Sequence, residues 1–116
     1  MPNSVLKNAT SGAVVAERVA RGDNFVSRGL GLLPRATVAP DEGIWLRGCS
    51  SVHTIGMRAV IDLIFLDRAD RVVRIVRGAR PNRPVFSCRG AHSVIELGAV
   101  DHPDRGVAIG DRLTLE

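Results

Sequence analysis

The run at residues 60–66 is the part of this sequence that most constrains the fold, because it is apolar at nearly every position. Side chains alternate between the two faces of a strand, so a strand with one solvent-exposed face has alternating apolar and polar residues. Only Asp62 interrupts the apolar run, and its valine and isoleucines favour extended backbone. The run therefore predicts an inner strand of a sheet that is covered on both faces.

Other short segments of strand character follow one another along the chain. They are residues 5–8, 13–19, 43–46, 52–57, 72–76, 85–88, 93–97 and 112–115. One helix is predicted at residues 24–33, where Asp23 or Asn24 can cap the first amides and Pro34 ends the segment. Many short strands with one helix favour a mainly-β fold, either a β-sandwich or an open, distorted barrel. At 116 residues, the chain is predicted to form one domain, residues 1–116.

The charge of the chain is unevenly distributed. Residues 68–89 contain seven arginines and one acid, Asp70, a net charge of +6, whereas the rest of the chain carries −2. Such a block attracts anions, and a weak nucleic-acid binder acting through it is one alternative function. However, proteins that bind single strands also stack bases on aromatic side chains. Phe86 is the single aromatic residue in this block. A solvated hairpin is favoured over a nucleic-acid platform.

The first ten residues lack the basic start and apolar stretch of a signal peptide. No apolar run approaches the roughly 20 residues that cross a bilayer. These features predict a soluble, cytoplasmic protein with no membrane association. In that compartment the two cysteines, Cys49 and Cys88, are expected to be free thiols.

Several stretches together carry a family resemblance. They are residues 28–35 (RGLGLLPR), 42–46 (EGIWL), 53–58 (HTIGMR), 61–67 (IDLIFLD) and 94–97 (VIEL), followed by Gly106 and Gly110-Asp111. On these stretches the chain resembles the bacterial family called domain of unknown function 192, with residues 53–67 the most specific part. The resemblance implies a compact β-sandwich-like fold with a short helix. It implies no activity and assigns no catalytic residue.

Residues 49–58 are the predicted binding segment, because they gather a thiol, two hydroxyls, an imidazole and a guanidinium within ten positions. A guanidinium grips carboxylates and phosphates with paired hydrogen bonds. We therefore expect a non-catalytic module that binds a small anionic ligand or a protein partner, with no cofactor and no metal. The candidate ligand-binding residues are Cys49, Ser50, His53, Met57, Arg58, Arg28 and Arg35.

Two chemical alternatives use the same segment. Cys49, His53 and Met57 offer the thiolate, imidazole and thioether of a copper site, but the second histidine of such a site normally lies well upstream. Cys49 and His53 could instead serve a Cys/His-dependent enzyme as nucleophile and base, which requires an orienting group such as Asp62 or Glu96. A buried, inert thiol is favoured over both.

Two carboxylates in predicted strands receive structural interpretations. Asp62 is costly to bury alone, and Arg58 lies four residues earlier on the same face of an extended segment. The sequence therefore predicts a structural ion pair between Asp62 and Arg58, with Arg28 and Arg35 as alternative partners of the carboxylate. His92 and Glu96 fall on one face of the strand near residues 93–97, and that face is predicted to be polar and exposed.

Overall fold

A computed structural model describes residues 4–22, 37–55, 57–83, 85–100 and 105–116. The predicted helix at residues 24–33 lies outside the described residues. Within them there is no helix, and the mainly-β prediction is confirmed. The described part of the chain forms nine strands: β1 Ser4–Asn8, β2 Val14–Gly22, β3 Glu42–Arg47, β4 Ser51–Val52, β5 Ile61–Leu66, β6 Val72–Ala79, β7 Phe86–Ser87, β8 Ser93–Gly98 and β9 Leu113–Leu115.

Seven of these strands form one mixed sheet, in the order β6-β5-β8-β3-β2-β1-β9. The β2–β3 pair is parallel and the other pairs in the sheet are antiparallel. The two edge strands meet at one end, where Arg71 pairs with Arg112 before β6 and β9 begin. The sheet is therefore strongly curved towards a barrel but is not closed into one. Strands β4 and β7 form a separate two-stranded sheet.

Strand β5 is an inner strand, as its sequence predicts. It lies between β6 and β8, and all six of its residues are buried. The turn that follows contains no glycine, yet Asp70 adopts a left-handed φ of 61°, a conformation that aspartate tolerates better than most residues. The Asp67 carboxylate stabilises this turn by accepting hydrogen bonds from the amides of Ala69 and Arg71 at 2.8 and 3.0 Å.

The large sheet is apolar on both faces. One face, here called the Trp45 face, carries a cluster built from almost every strand: Leu6, Ala16, Val19, Trp45, Ile64, Leu66, Val72, Ile95, Leu97, Val107 and Leu113. The opposite face, here called the Ile44 face, carries a second cluster: Ile44, Leu46, Met57, Ile61, Leu63, Phe65, Ala79 and Val94. Val52 of β4 and Phe86 of β7 pack against this second cluster. The small sheet therefore covers part of the Ile44 face, which explains why β5 has no polar side.

Candidate functional site

Thr54 joins the loop after β4 to the loop after β6. Its hydroxyl Oγ1 donates to the carbonyl of Arg80 at 2.7 Å and accepts from the amide of Arg83 at 2.8 Å. Its amide donates to the carbonyl of Arg83, and its carbonyl accepts from the amides of Asn82 and Met57. Thr54 is completely buried. One side chain thus fixes two loops that are 26 residues apart in the sequence.

The turn at Thr54 corrects the sequence prediction of an extended segment at residues 52–57. Strand β4 ends at Val52, because the Met57 amide bonds back to the Thr54 carbonyl rather than to a neighbouring strand. A hydrogen bond across three residues closes a tight turn. The polar residues of the segment therefore surround a turn instead of alternating along a strand.

The predicted binding residues divide into buried and exposed groups. Met57 is 3% exposed and belongs to the hydrophobic cluster of the Ile44 face. Cys49 is half-buried against the same cluster, with its Sγ 3.5 Å from the carbonyl of Leu46. Ser50, His53 and Arg58 are exposed. Arg28 and Arg35 lie outside the described residues.

Residues with exposed basic side chains flank Thr54 in its own segment and in the loop that it anchors. His53 precedes it, Arg58 follows the turn, and Arg80 and Arg83 come from the loop that it anchors. We call His53, Arg58, Arg80 and Arg83 the Thr54 surface. Along the described part of the chain, none of its three guanidiniums has an acidic partner within ion-pair distance. Sequence analysis missed Arg80 and Arg83 as site residues, although they belong to the basic block that it identified.

Asp62 forms a buried ion pair with Arg105, not with Arg58. The Arg105 Nε and Nη2 atoms lie 3.1 and 3.0 Å from Asp62 Oδ2, and the Gly78 amide donates to Oδ1 at 2.8 Å. The side chains of Asp62 and Arg105 are 4% and 7% exposed. Arg58 is exposed and lies before β5. Four residues of extended chain span roughly 13 Å, so a shared face did not bring Arg58 to the carboxylate.

Glu96 is buried, which corrects the prediction that it lies on an exposed polar face with His92. His92 is exposed, but Glu96 is only 6% exposed. Its strand, β8, lies between β5 and β3, and every residue of β8 is buried. Burial raises the pKa of the Glu96 carboxyl from its ordinary 4.5 to about 7. The residues on either side of Glu96 in the sequence are apolar, which indicates burial. The spacing of Glu96 from His92 instead suggested that both belong to a polar face of the strand.

The copper alternative for residues 49–58 requires its ligands to converge on one point. Among the described residues, no three histidine, cysteine, aspartate or glutamate side chains are grouped closely enough to hold a metal ion. Of the three candidate copper ligands, Met57 is buried whereas His53 is exposed. Within the same described ranges, no helix is long and apolar enough to cross a membrane.

The family described as DUF192, Uncharacterized ACR, matches residues 6–115 of this chain. The chain belongs to the DUF192 family. It is 34% identical over 107 residues to a UPF0127 protein of Pyrococcus furiosus, covering 84% of this chain and 92% of that protein. It is 36% identical over 121 residues to a UPF0127 protein of Thermococcus sibiricus, covering 97% and 75%. The relatives of this DUF192 chain thus include archaeal proteins, beyond the bacterial range that the sequence resemblance indicated.

Two crystal structures share the fold of this DUF192 protein. A protein from Sinorhizobium meliloti 1021, described as a “putative transcription regulator”, superposes with a TM-score of 0.80 at 25% identity, covering 98% of this chain and 92% of that one. A protein of unknown function from Novosphingobium aromaticivorans superposes with a TM-score of 0.78 at 23% identity, covering 98% and 84%. The second likeness shows the fold alone. Neither description assigns a biochemical activity to the family.

Proposed function

We propose that this DUF192 protein is a non-catalytic module that binds a small anionic ligand at the Thr54 surface. The proposal rests on the buried Thr54, which joins two loops that bear arginines. In the described chain, no acidic group pairs with the guanidiniums of these arginines. Guanidinium groups bind carboxylates and phosphates through charge-assisted, paired hydrogen bonds. His53 and Ser50 add an imidazole and a hydroxyl on the exposed side of the same segment.

The rigidity of the two loops supports a specific site. Five hydrogen bonds converge on Thr54, so the backbone beneath Arg58, Arg80 and Arg83 is held before any ligand arrives. Preorganised backbone lowers the ordering cost of binding. Exposed ion pairs are individually weak, so affinity requires several guanidiniums to contact one ligand together. A multivalent anion with two or more carboxylates or phosphates is therefore the ligand class that fits best.

The proposal is tested by titrating the whole chain with citrate and with pyrophosphate while recording backbone amide NMR spectra. We expect both anions to shift the amides of residues 53–58 and 80–83. The double variant Arg80→Ala/Arg83→Ala should weaken binding at least about tenfold, since paired guanidinium contacts each contribute more than a neutral hydrogen bond.

Arg68→Ala is the matched control. Arg68 is exposed and belongs to the same basic block, but it lies in the turn at the opposite end of β6 from Arg80. Nine residues of extended strand separate Arg71, beside that turn, from Arg80 by roughly 30 Å. Equal weakening by Arg68→Ala and by the double variant would indicate nonspecific attraction to the basic block and would contradict the proposal.

Nucleic acid is the second candidate ligand, favoured by the basic block and by the description of the Sinorhizobium protein. A labelled random-sequence oligonucleotide added to the same titration tests it. Three results together would favour this second function. Oligonucleotide binding falls steeply with salt, it is lost in Arg68→Ala as well as in the double variant, and citrate does not displace it. Binding of the small anions with no oligonucleotide binding supports the module proposed here.

A cytoplasmic location remains part of the proposal. Cys49 and Cys88 are half-buried and form no disulfide in the described part of the chain, which suits a reducing compartment. Mass spectrometry of the purified protein after denaturation and alkylation without reductant tests this, with two labels expected. Failure of either cysteine to react would indicate a disulfide and an oxidising environment.

A further inference from the structure

Glu96 occupies the centre of the Ile44 face. Its register partners are Ile44 on β3 and Leu63 on β5. The next partners outward in the same row are Ala20 on β2 and Val76 on β6. Five strands thus present one row of side chains in which the middle residue is a carboxylic acid and the other four are apolar.

Within the described chain, no hydrogen bond or ion pair reaches the Glu96 carboxyl. The other buried carboxylate, Asp62, receives the Arg105 guanidinium and the Gly78 amide. Buried polar groups are nearly always hydrogen-bonded, and leaving one without a partner costs folding free energy. The fold accounts for Asp62 but gives no structural reason for Glu96.

The Glu96 carboxyl is buried but not sealed. The residue keeps 6% of its surface exposed. The fully enclosed side-chain atoms without a partner in the described chain are Trp45 Nε1 and Ser93 Oγ, and the Glu96 oxygens are not among them. The Glu96 oxygens therefore retain some contact with solvent. Its neighbours would be the apolar side chains of Ile44 and Leu63, whose register places them on either side.

We propose that Glu96 is the recognition carboxylate of a binding site on the Ile44 face for a ligand that carries an ammonium or guanidinium group on a short apolar chain. An ionised carboxylate only accepts hydrogen bonds, so it needs a donor, and a cationic donor also neutralises its charge. The apolar flanks strengthen that pairing by lowering the local dielectric. The same flanks accept the apolar part of the ligand.

Other ligand classes fit this position less well. An anion would be repelled by the ionised carboxylate and would find one donor in the protonated form. A calcium or magnesium ion needs several oxygen ligands, and the four row neighbours of Glu96 supply no side-chain oxygen. This site is therefore distinct in charge preference from the Thr54 surface, and it stands or fails independently of the anion-binding function proposed above.

Among the described residues, the other ionisable groups on this face have partners or lie in different rows. Arg18 and Glu42 approach each other to 3.8 Å at the start of β2 and β3, and Arg74 donates to the carbonyl of Ser87. The thiols of Cys49 and Cys88 pack against the hydrophobic cluster of this face. Glu96 is the member of this set that lies in the central row, so its ionisation should control the binding of a cation there.

The test uses the full chain and n-butylammonium, with n-butanol and butyrate as uncharged and anionic probes of the same length. We expect n-butylammonium at about pH 8 to shift the amides of β3, β5 and β8 around Glu96, and the other two probes to leave them unchanged. Lowering the pH to about 5.5 should weaken n-butylammonium binding roughly thirtyfold, the ratio of ionised carboxyl at the two pH values.

Glu96→Gln keeps the shape of the side chain and removes its charge, and it should weaken n-butylammonium binding at least tenfold. Glu42→Gln removes a carboxylate from the same face that already has partners, and it should leave the binding unchanged. The proposal is overturned if Glu96→Gln binds n-butylammonium as wild type does. It is also overturned if n-butanol shifts the same amides equally, or if n-butylammonium and n-butylguanidinium shift none of them.

Discussion

Replacing Glu96 by glutamine should stabilise the fold at alkaline pH and change it little at acid pH. Burial raises the pKa of Glu96 from 4.5 to about 7 in the folded state, so the folded chain holds the proton more tightly than the unfolded chain. The wild-type protein therefore loses stability as the pH rises from about 4.5 to about 7, because the unfolded state ionises first. Glutamine does not titrate and removes this dependence.

The size of the effect follows from the shift in pKa. One pKa unit corresponds to about 1.4 kcal/mol, so a rise from 4.5 to about 7 corresponds to about 3 kcal/mol. Glu96→Gln should therefore gain about 3 kcal/mol over wild type between about pH 4 and about pH 8. For a domain of this size that gain corresponds to a rise in Tm of roughly 12 °C relative to wild type.

Chemical denaturation of both proteins across this pH range measures the gain directly. Glu17→Gln is the matched control, since it removes an exposed glutamate from the same sheet and should follow the wild-type curve. A constant difference between Glu96→Gln and wild type at all pH values would refute the reasoning. It would mean that the carboxyl titrates equally in the folded and unfolded states.

Three further predictions concern single contacts. Thr54→Val should destabilise the fold by about 2–3 kcal/mol in urea denaturation, since two backbone groups lose a buried partner, whereas Thr114→Val on half-exposed β9 should cost under about 1 kcal/mol. Asp62→Ala should cost about 3–5 kcal/mol by leaving Arg105 buried and unpaired, and adding Arg105→Met should recover part of that loss. His53→Ala should change stability by under about 0.5 kcal/mol, because the side chain is exposed; a loss above about 1 kcal/mol would reveal a structural histidine.

Local sequence pattern predicted most of the strands. The run at residues 60–66 indicated an inner strand because it offers no polar face, and β5 is buried on both sides. The polar stretch at residues 67–71, between two apolar runs, forms the hairpin turn between β5 and β6. Strand ends were less well predicted: β2 continues to Gly22 and β6 to Ala79, because cross-strand hydrogen bonds extend them beyond their apolar patterns.

The residues of the proposed Thr54 surface were identified in part from the sequence. The composition of residues 49–58 identified His53 and Arg58, which are exposed, but did not separate them from Met57, which is buried in the hydrophobic cluster. The residues that complete the Thr54 surface, Arg80 and Arg83, come from a loop 26 or more residues away. The residue types within ten consecutive positions cannot reveal a contact between two loops that are distant in the sequence.

The sequence by itself determined the mainly-β class, the inner position of β5 and the basic character of residues 68–89, because these depend on side-chain alternation and on charge count. Tertiary structure decided which groups meet. Asp62 pairs with Arg105, 43 residues distant, since sheet pairing and loop closure bring that guanidinium to the end of the strand. Glu96 is buried because β3 and β5 flank its strand and the side chains of Ile44 and Leu63 stand on either side of it. Burial is a property of the assembled sheet, and the same glutamate at an edge strand would be a solvated surface residue.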